Sequence, residues 1–453
     1  MLRLKVMLAA ILALLAVRPA FPQAIAGMTP KGIAYRYQHI VRGEEVAVYF
    51  AWRYAADAKD KDESWIHYLL PAMWDGAGDD SRETVERKLR ELGVTHGSLS
   101  PQRLTVAAYV MLQRGKLDQV AALLTQIVQK PTYASKDLDE RYKKILMPLR
   151  DKFNREPVNQ LQFAALALNF PNLAGGGQWM ALSEASIKPP ASETLRQVHQ
   201  RTLGRSNLVV SVAGNLSEGD AAAFIDRVFG ALPALAESPP PPPDTRTVDK
   251  VIKIERDVPQ VYAQLYGVIA GENDPKKIAA LRLATAAFGN GKDSALYKVL
   301  RDEMGAAYST TSSEFVIAPQ TSLFKVSVQL DPEKASQAVA RLREEYRKLV
   351  ETGIDEPALN SETGRATAPF NPGTIVARQR ALLNLTNALR GYPEDVVQRL
   401  RKAYGELTTD EVNGVISQSM AKAATVLVMA PAAVTIEADC TIKAYSETAK
   451  CGF

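Results

Sequence analysis

The sequence predicts an α+β protein made of two homologous α/β halves, each a mixed sheet with flanking helices. Three observations support this class. Strand-like and helical patterns follow one another twice along the chain, stretches of the first half recur in the second, and a run of five prolines lies between them. A chain of 453 residues also exceeds the usual size of one domain, so more than one hydrophobic core is expected.

Residues 1–26 have the pattern of a secretory signal peptide. Arg3 and Lys5 precede an apolar run from Val6 to Val17, and Ala24-Ile25-Ala26 supplies the small residues of a cleavage site. The run is too short for a transmembrane helix, and no other segment approaches a membrane span. We therefore expect an exported, periplasmic protein without stable membrane insertion, whose mature chain begins near residue 27.

Residues 27–236 form the first predicted half. Its elements are a strand at Val46 to Tyr54, helical patterns at Arg87 to Leu92 and Gln119 to Gln129, and a buried β-branched strand at Leu208 to Ala213. Ser192 is expected to cap the helix that leads into this last strand, because a serine hydroxyl accepts hydrogen bonds from the first helical amides.

Residues 237–245 form the predicted linker, in which Pro239 to Pro243 favour a semi-rigid polyproline spacer of about 15 Å. Residues 246–453 form the second half. Its predicted strands are Val261 to Val268, Leu323 to Leu330 and Thr425 to Ala430. Asp331 and Pro332 are expected to open a helix that runs to about Glu351, because Asp at the cap and Pro at the first helical position favour a helix start.

The two halves repeat one another. The helix and strand near Ser192 and Leu208 recur near Thr409 and Thr425, at an offset of 217 residues, and Thr409 is the expected cap of the second helix. A second stretch, Leu89 to Gly93, resembles Leu300 to Gly305 at a slightly different offset. Because both matching pairs occur in the same order, they indicate a duplication, and the two sheets should share one topology.

Charge and cysteine content narrow the possible functions. The net charge of +5 is spread over mixed-sign runs, without a dense Lys/Arg cluster among aromatics, which argues against nucleic-acid binding. No G-x-S-x-G motif supports an α/β-hydrolase. In an oxidising compartment, Cys440 and Cys451 are expected to form a disulfide that closes the C-terminal tail, two free thiols being the alternative.

The stretch SWIHYLLPAMWDG, residues 64–76, is the first candidate for a functional site. In an H-x-x-E-H helix two histidines bind zinc, and the glutamate between them is the general base. Aligned on His67, this pattern places Leu70 at the base and Pro71 at the second ligand. Neither side chain has a metal donor, and Pro71 should kink the helix or force it to begin at Leu70.

The third zinc ligand is missing as well. The distal acidic residue of such a site would fall on Pro148 or Leu149, in the helix predicted after Glu140. One histidine does not hold zinc alone. We therefore predict no metal site in this chain and interpret His67 as a packed or hydrogen-bonded histidine.

Several segments together resemble the pitrilysin and mitochondrial-processing-peptidase family of zinc peptidases, in particular its bacterial two-chain subfamily. They are Trp74-Asp75-Gly76, Glu140-Arg141 leading to Glu156-Pro157, the strand Val209 to Gly214, and Gly289 to Ser309. The last segment reads as a glycine turn, S-x-L, an L-R-D helix end and G-x-A-Y. The resemblance covers essentially the whole mature chain. It implies a clam-shell of two α/β halves, two such chains enclosing a chamber in active dimers.

The resemblance also implies substrate-binding roles for Arg301 and Tyr308, across the dimer cleft from the zinc. Arginine offers several donors to a peptide carbonyl, and a tyrosine hydroxyl can donate to a developing oxyanion. The chain turns at Gly305 between them, so the two side chains can converge. The alternative is an arginine favoured by the helix dipole and a tyrosine of the core. The turn at Gly289 to Gly291 is interpreted as a simple turn.

The resulting hypothesis is a non-zinc subunit of a heterodimeric periplasmic zinc peptidase, inactive alone, whose zinc is held by a homologous partner subunit. This chain would supply Arg301 and Tyr308, half of the chamber and substrate selection for peptide-bond hydrolysis. Two alternatives remain open: a non-catalytic peptide-binding or scaffold protein of the same fold, and a homodimer that captures peptides without cutting them.

Overall fold

The computed structural model describes residues 23–54, 63–99, 105–171, 189–235, 243–318, 321–367 and 376–452. They form two six-stranded mixed sheets with helices packed on them, which confirms the predicted class. Most of the predicted signal peptide and most of the proline run lie outside the described residues. No helix in these ranges is long and apolar enough to cross a membrane.

The first half contributes eight strands and eight helices to the described ranges. The strands are β1 (Ile25–Met28), β2 (Ala34–His39), β3 (Glu45–Arg53), β4 (Gly76–Ala77), β5 (Asp80–Ser81), β6 (Thr95–Leu99), β7 (Thr105–Gln113) and β8 (Leu208–Gly214). The helices are α1 (Glu63–Met73), α2 (Arg82–Glu91), α3 (Leu117–Gln129), α4 (Ser135–Arg141), α5 (Met147–Arg155), α6 (Pro157–Asn169), α7 (Ser192–Thr202) and α8 (Glu218–Phe229). A π-helical segment, Tyr142–Leu146, joins α4 to α5.

The second half contributes six strands and six helices to the described ranges. Its described strands are β9 (Val251–Glu255), β10 (Val261–Ala270), β11 (Ala307–Ala318), β12 (Thr321–Leu330), β13 (Met420–Ala430) and β14 (Cys440–Ile442). Its helices are α9 (Pro275–Gly289), α10 (Ala335–Thr352), α11 (Glu356–Thr367), α12 (Ala377–Leu389), α13 (Val396–Glu406) and α14 (Thr409–Ser419). A second π-helical segment, Tyr297–Glu303, precedes β11, and a 3₁₀ segment, Tyr445–Cys451, closes the tail.

The two large sheets have matching strand orders. The first runs β1-β2-β8-β3-β7-β6 and the second, read from its other end, β14-β9-β13-β10-β12-β11. In the first sheet Ala34 pairs with Val209 in parallel; adding 217 to both numbers gives Val251 and Val426, which pair in parallel in the second. The repeat seen in the sequence is therefore preserved in the strand pairing.

The sheets differ at one edge. Strand β1 runs antiparallel to β2, whereas β14 runs parallel to β9. Strand β1 begins at Ile25, inside the predicted cleavage segment, so cleavage after Ala26 would remove half of it. At the other end of the chain Cys440 and Cys451 form a disulfide that ties β14 to the 3₁₀ segment.

Each sheet has an outer face covered by helices of its own half. The first outer core packs β3, β7 and β8 against α1, α3, α7 and α8, and its largest fully buried side chains include Trp52, Phe50 and Phe229. The second packs its strands against α9, α10, α13 and α14. These two cores contain most of the buried apolar residues in the described ranges.

The inner face of each sheet carries a helix from the other half. Helix α6, from the first half, packs mainly on β10 and β13, through residues such as Leu161 and Ala165. Helix α12, from the second half, packs mainly on β2, β3 and β8, through residues such as Ala381 and Leu385. Residues of β7 such as Ala107 and Met111 and residues of β11 and β12 such as Ile317 and Leu323 join these inner clusters, whereas Ser309, Thr311 and Ser313 of β11 are exposed.

Three predicted helix starts need correction. Helix α10 begins at Ala335 instead of Pro332, because Asp331 caps a separate turn, in which its Oδ1 accepts from the Glu333 amide at 2.9 Å. Ser192 and Thr409 are the first residues of their helices and not the caps. The cap of α14 is Thr408, whose hydroxyl accepts from the Glu411 amide.

Candidate functional site

Helix α1 carries the sequence that resembles a zinc helix. It runs through Glu63–Met73 without restarting at Leu70. Pro71 lies inside its last turn, where it removes one amide donor from the helix. The Leu70 side chain is fully buried in the outer core, and Pro71 is half-buried. His67 lies in this helix, but its side chain lies outside the described residues. A leucine and a proline therefore stand where the general base and second ligand of a zinc helix would be.

The distal ligand position lies where α5 follows the π-helical segment. Pro148 has no amide hydrogen, and its ring conflicts with the carbonyl four residues earlier in an α-helix. The π-helical turn directly before α5 accommodates this conflict without ending the helix. Pro148 itself is exposed, and the side chain of Leu149 lies outside the described residues.

A buried ion pair follows the degenerate helix. Asp75, which is 2% exposed, accepts two hydrogen bonds from Arg141, at 2.5 Å from Nε and 2.6 Å from the terminal nitrogen. Arg82 lies 3.5 Å from the same carboxylate and 3.7 Å from Glu140. The cluster ties the end of α1 to the start of α2 and to α4. It is made of cations as well as carboxylates, so it does not offer a metal the net negative charge it needs.

The described ranges hold no group of three His, Cys, Asp or Glu side chains placed to bind a metal ion. The side chains at the zinc-helix positions agree with this, since neither Leu70 nor Pro71 provides an atom that could bind a metal. A zinc ion held by the H-x-x-E-H geometry does not fit this chain.

The second candidate site lies at the end of the π-helical segment Tyr297–Glu303. Gly305 closes this segment at φ +57°, its amide donating to the Arg301 carbonyl at 3.0 Å. Strand β11 then begins. It pairs Ala307 with Leu330 and Ser309 with Gln329, which leaves Tyr308 as the extra residue of a β-bulge. A bulge redirects a side chain out of the regular alternation of a strand.

The side chain of Arg301 reaches the backbone of Tyr308. The Arg301 guanidinium donates to the Tyr308 carbonyl and lies over the Tyr297 ring, 5.2 Å from its centroid. Within the described part of the chain, no carboxylate pairs with Arg301 and no group bonds the Tyr308 hydroxyl. Tyr308 is 53% exposed. The site therefore presents an uncompensated cation and an unused hydroxyl to solvent.

The glycine turn beside this site is structural, as expected for a simple turn. Asn290 caps α9 and places its side-chain amide against β11, where it accepts from the Ser312 amide at 2.8 Å and donates to the Ser312 carbonyl at 3.0 Å. Gly291 follows at φ +81°. The asparagine side chain thus occupies the hydrogen-bonding edge of β11 as a neighbouring strand would.

Two features were not predicted from the sequence: Asn290 hydrogen-bonds the backbone of β11, and Asp75 is the centre of an ion-pair cluster. The Asp75 pairing spans 66 residues, and no local pattern relates it to Arg141. The asparagine had a usable signal, because an Asn-Gly pair after a helix often places its amide on nearby backbone.

Comparison with known proteins supports the same family. Residues 191–362 match the family model described as Peptidase M16 inactive domain. A protein of Rickettsia felis described as an uncharacterized zinc protease is 18% identical over 397 residues, covering 82% of this chain and 92% of that protein. A second uncharacterized zinc protease, from Mycobacterium bovis, is 22% identical over 320 residues, covering 68% of this chain and 70% of its own.

Solved structures share the fold. A peptidase M16 inactive domain from Pseudomonas fluorescens superposes with a TM-score of 0.78 at 17% identity, covering 91% of this chain and 98% of that one. Pitrilysin gives 0.71 at 15% identity, covering 92% of this chain and 45% of its own. The periplasmic protease PqqL from Escherichia coli gives 0.69 at 16% identity, covering 91% of this chain and 48% of its own.

The chain therefore shares the two-half α/β fold of these structures, and its positions 70 and 71 carry no metal donor. The sequence matches agree with the resemblance that the motifs predicted: residues 191–362 match an M16 inactive domain, and the matched relatives are described as zinc proteases. The chain spans about half the length of pitrilysin and of PqqL, 45% and 48% respectively.

Proposed function

We propose that the chain is the non-zinc subunit of a heterodimeric zinc peptidase, which acts on peptides together with a homologous subunit that holds the zinc. The observation that carries the proposal is the contrast between two sites of one chain. The zinc-helix positions hold Leu70 and Pro71, whereas Arg301 and Tyr308 are exposed, close together and uncompensated.

The proposed role of this pair is to bind the substrate backbone and the charge that develops on it. Arg301 uses one donor on the Tyr308 carbonyl, and a guanidinium has five. The remaining donors can bind a peptide carbonyl, and the Tyr308 hydroxyl can donate to an oxygen that gains negative charge. The zinc and the attacking water belong to the partner, as in the two-unit organisation that PqqL and pitrilysin suggest.

Reconstitution tests this proposal. The chain is purified alone and with a homologue that carries an intact H-x-x-E-H helix, and zinc content and cleavage of a quenched-fluorescence peptide library are measured. The expected result is no stoichiometric zinc and no cleavage by the chain alone, and one zinc with cleavage by the complex. Zinc or cleavage in the isolated chain would contradict the proposal. A stable complex without cleavage would instead favour the scaffold alternative.

The proposed location is the periplasm, supported by the signal-like pattern of residues 1–26 and by the periplasmic protease among the fold relatives. Cleavage after Ala26 would leave only Gly27 and Met28 of strand β1. N-terminal sequencing of the protein from a periplasmic extract checks both points. Recovery of uncleaved protein from the cytoplasm alone would contradict this location.

A further inference from the structure

One part of the inner face of the second sheet, on β11 and β12 beside α6, is polar. Residues directly opposite in an antiparallel pair lie on the same face. Tyr266, which packs beneath α6, lies opposite Lys325 of β12, and Lys325 lies opposite Ser313 of β11. The same face continues along the two strands as Ser309, Thr311, Ser327 and Gln329. We call these residues, with Ser313 and Lys325, the hydroxyl strip.

Hydroxyls of this strip on β11 are available for a ligand. Ser309, Thr311 and Ser313 are exposed, and none of their hydroxyls has a hydrogen-bond partner within the described ranges. On β12, Ser327 accepts from Gln264 at 3.1 Å and still has a proton to donate. Such a row offers donors and acceptors to an extended peptide, whose own polar groups alternate along its length.

Lys325 is the one cation of the strip and has no acidic partner. Its Nζ donates to Gln162 of α6 at 3.1 Å, and no carboxylate of the described residues lies within ion-pair distance. The side chain is half-buried, and this burial lowers the pKa of its ammonium group. An exposed lysine would extend into water. Here the ammonium is held in a partly dry position with one neutral acceptor.

A second lysine of the same sheet, Lys253, differs from Lys325 in having all its hydrogen-bond donors paired within the fold. Lys253 of β9 is 5% exposed, and its Nζ has three acceptors: Glu255 at 3.4 Å, the Ala432 carbonyl at 3.3 Å and the Val434 carbonyl at 2.9 Å. Lys253 is therefore satisfied within the fold. Lys325 has two donors left over beside the unpartnered hydroxyl of Ser313.

We propose that the hydroxyl strip binds an extended peptide segment and that Lys325 binds a carboxylate of that peptide, either an acidic side chain or a C-terminal carboxylate. This inference rests on the proposed peptide-binding function and adds a preference to it. Five residues separate Tyr308 from Ser313, which is about 17 Å of strand. The carboxylate therefore lies about five extended residues from the part of the substrate held at Arg301 and Tyr308.

Direct binding to the isolated full chain tests the strip without any partner. Three N-terminally labelled nine-residue Gly/Ser/Ala peptides are compared by fluorescence anisotropy at pH 7 and low salt. One has a central Glu and an amidated C-terminus, one has Gln in place of Glu, and one has Gln with a free C-terminal carboxylate. At least one carboxylate peptide should bind about 10-fold more tightly than the amidated Gln peptide, as expected for a charge-assisted hydrogen bond.

Two variants assign the preference to Lys325. Lys325→Gln should abolish it, while Lys348→Gln, an exposed lysine of α10, should leave it unchanged. Gln162→Glu keeps Lys325 but places a carboxylate within reach of Nζ, so it should also abolish the preference without loss of thermal stability. This second variant keeps the test valid if the first one folds poorly.

Each outcome decides one point. Tighter binding of the Glu peptide or of the free-acid peptide supports the carboxylate site and identifies its source. Equal binding of all three peptides, or a preference that survives both Lys325→Gln and Gln162→Glu, overturns the Lys325 site but leaves the proposed peptidase role intact. Absence of binding by all three overturns the strip as a peptide site, whereas the proposed function fails separately, in the cleavage assay.

Discussion

The two halves of the chain share a topology but use the same structural position differently. In each half a helical segment ends at a glycine with positive φ and leads into a strand at the sheet edge: Gly93 before β6 and Gly305 before β11. Arg90 and Arg301 occupy the last turn before these glycines, and each carbonyl accepts the glycine amide at 3.0 Å.

The side chains at these matched positions have opposite environments. Arg90 lies 3.8 Å from Glu86, and His96, three residues after Gly93, stacks on Trp74 with ring centroids 4.2 Å apart. Arg301 has no carboxylate partner in the described ranges, and Tyr308, three residues after Gly305, is 53% exposed. Duplication therefore gives both halves the same backbone, while the neighbouring residues determine whether a side chain is paired within the fold or free to bind a ligand.

The inner faces of the matched strand pairs β6–β7 and β11–β12 repeat this contrast. On the first sheet Leu99 and Tyr109 join the apolar cluster beneath α12, and Tyr109 stacks on Tyr49 at 5.2 Å. On the second sheet the corresponding surface is the hydroxyl strip with Lys325. The face of the first sheet is therefore part of an apolar core, whereas the matching face of the second sheet has hydrogen-bonding groups that a ligand could use.

The largest expected effect concerns Asp75, which follows the end of α1 as Asn290 follows the end of α9. Asp75→Asn removes a buried charge and leaves the Arg141 guanidinium unpaired, which should cost about 3–5 kcal/mol of unfolding free energy. Chemical denaturation measures this change. Adding Arg141→Gln to the variant should recover part of the loss, because the unpaired charge is then gone.

The exposed pair Arg87–Glu91 is the control, because Glu91→Gln should change stability by about 1 kcal/mol or less. If Asp75→Asn is as mild as Glu91→Gln, the cluster does not hold α1 in place, and the degenerate helix needs another anchor.

The next prediction separates the matched arginines. In a reconstituted complex, Arg301→Ala should lower kcat/KM by about 10- to 100-fold, the usual effect of losing charge-assisted hydrogen bonds to a substrate carbonyl. Arg90→Ala should leave cleavage unchanged, because that side chain lies in the half without the proposed site. Zinc content and complex formation should be the same for both variants. An equal loss from both would remove the distinction between the halves.

Parts of this contrast were predictable from sequence, and parts were not. The β-branched strands, most helices and the repeat follow from local periodicity, and Leu70 and Pro71 exclude metal ligation by their chemistry alone. The contact of the Arg301 side chain with the Tyr308 backbone follows from their short separation around Gly305. By contrast, Lys253 and Lys325 look alike in sequence, because their acceptors come from distant segments. The exchange of α6 and α12 between the sheets was likewise invisible, since an apolar helix face does not specify its sheet.

Acid should destabilise the first half more than its counterpart. His199 is buried, and its Nδ1 lies 2.9 Å from the Tyr133 hydroxyl, whereas the matched residue 217 positions later is the buried Ile416. Burial lowers the pKa of His199 to about 4, from an ordinary value of 6.5. The unfolded chain therefore takes up this proton at a higher pH than the folded one, so the contribution is complete above pH 6.5 and is lost progressively toward pH 4.

Lowering the pH from 7 to 5 should cost about 2 kcal/mol through this residue. The double variant His199→Ile with Tyr133→Phe should lose this part of the pH dependence, because it replaces the pair with the apolar chemistry of the other half. Denaturation midpoints at both pH values provide the measurement. An unchanged pH dependence in the double variant would assign the acid sensitivity to other groups.

The smallest expected effect concerns the capped edge of β11. Asn290→Ala removes both hydrogen bonds to the Ser312 backbone, which should cost about 1–3 kcal/mol. It also exposes the edge of β11, a surface on which strands of other molecules can pair. Denaturation and sedimentation velocity should therefore show lower stability and concentration-dependent association. Asn290→Asp keeps the acceptor for the Ser312 amide but loses the donor to its carbonyl, so it should fall between alanine and the native residue. If the native chain and both variants are equally stable and monomeric, Asn290 does not protect this edge. The bulge at Tyr308 and the hydrogen bond from Arg301 would then be what prevents other strands from pairing with β11.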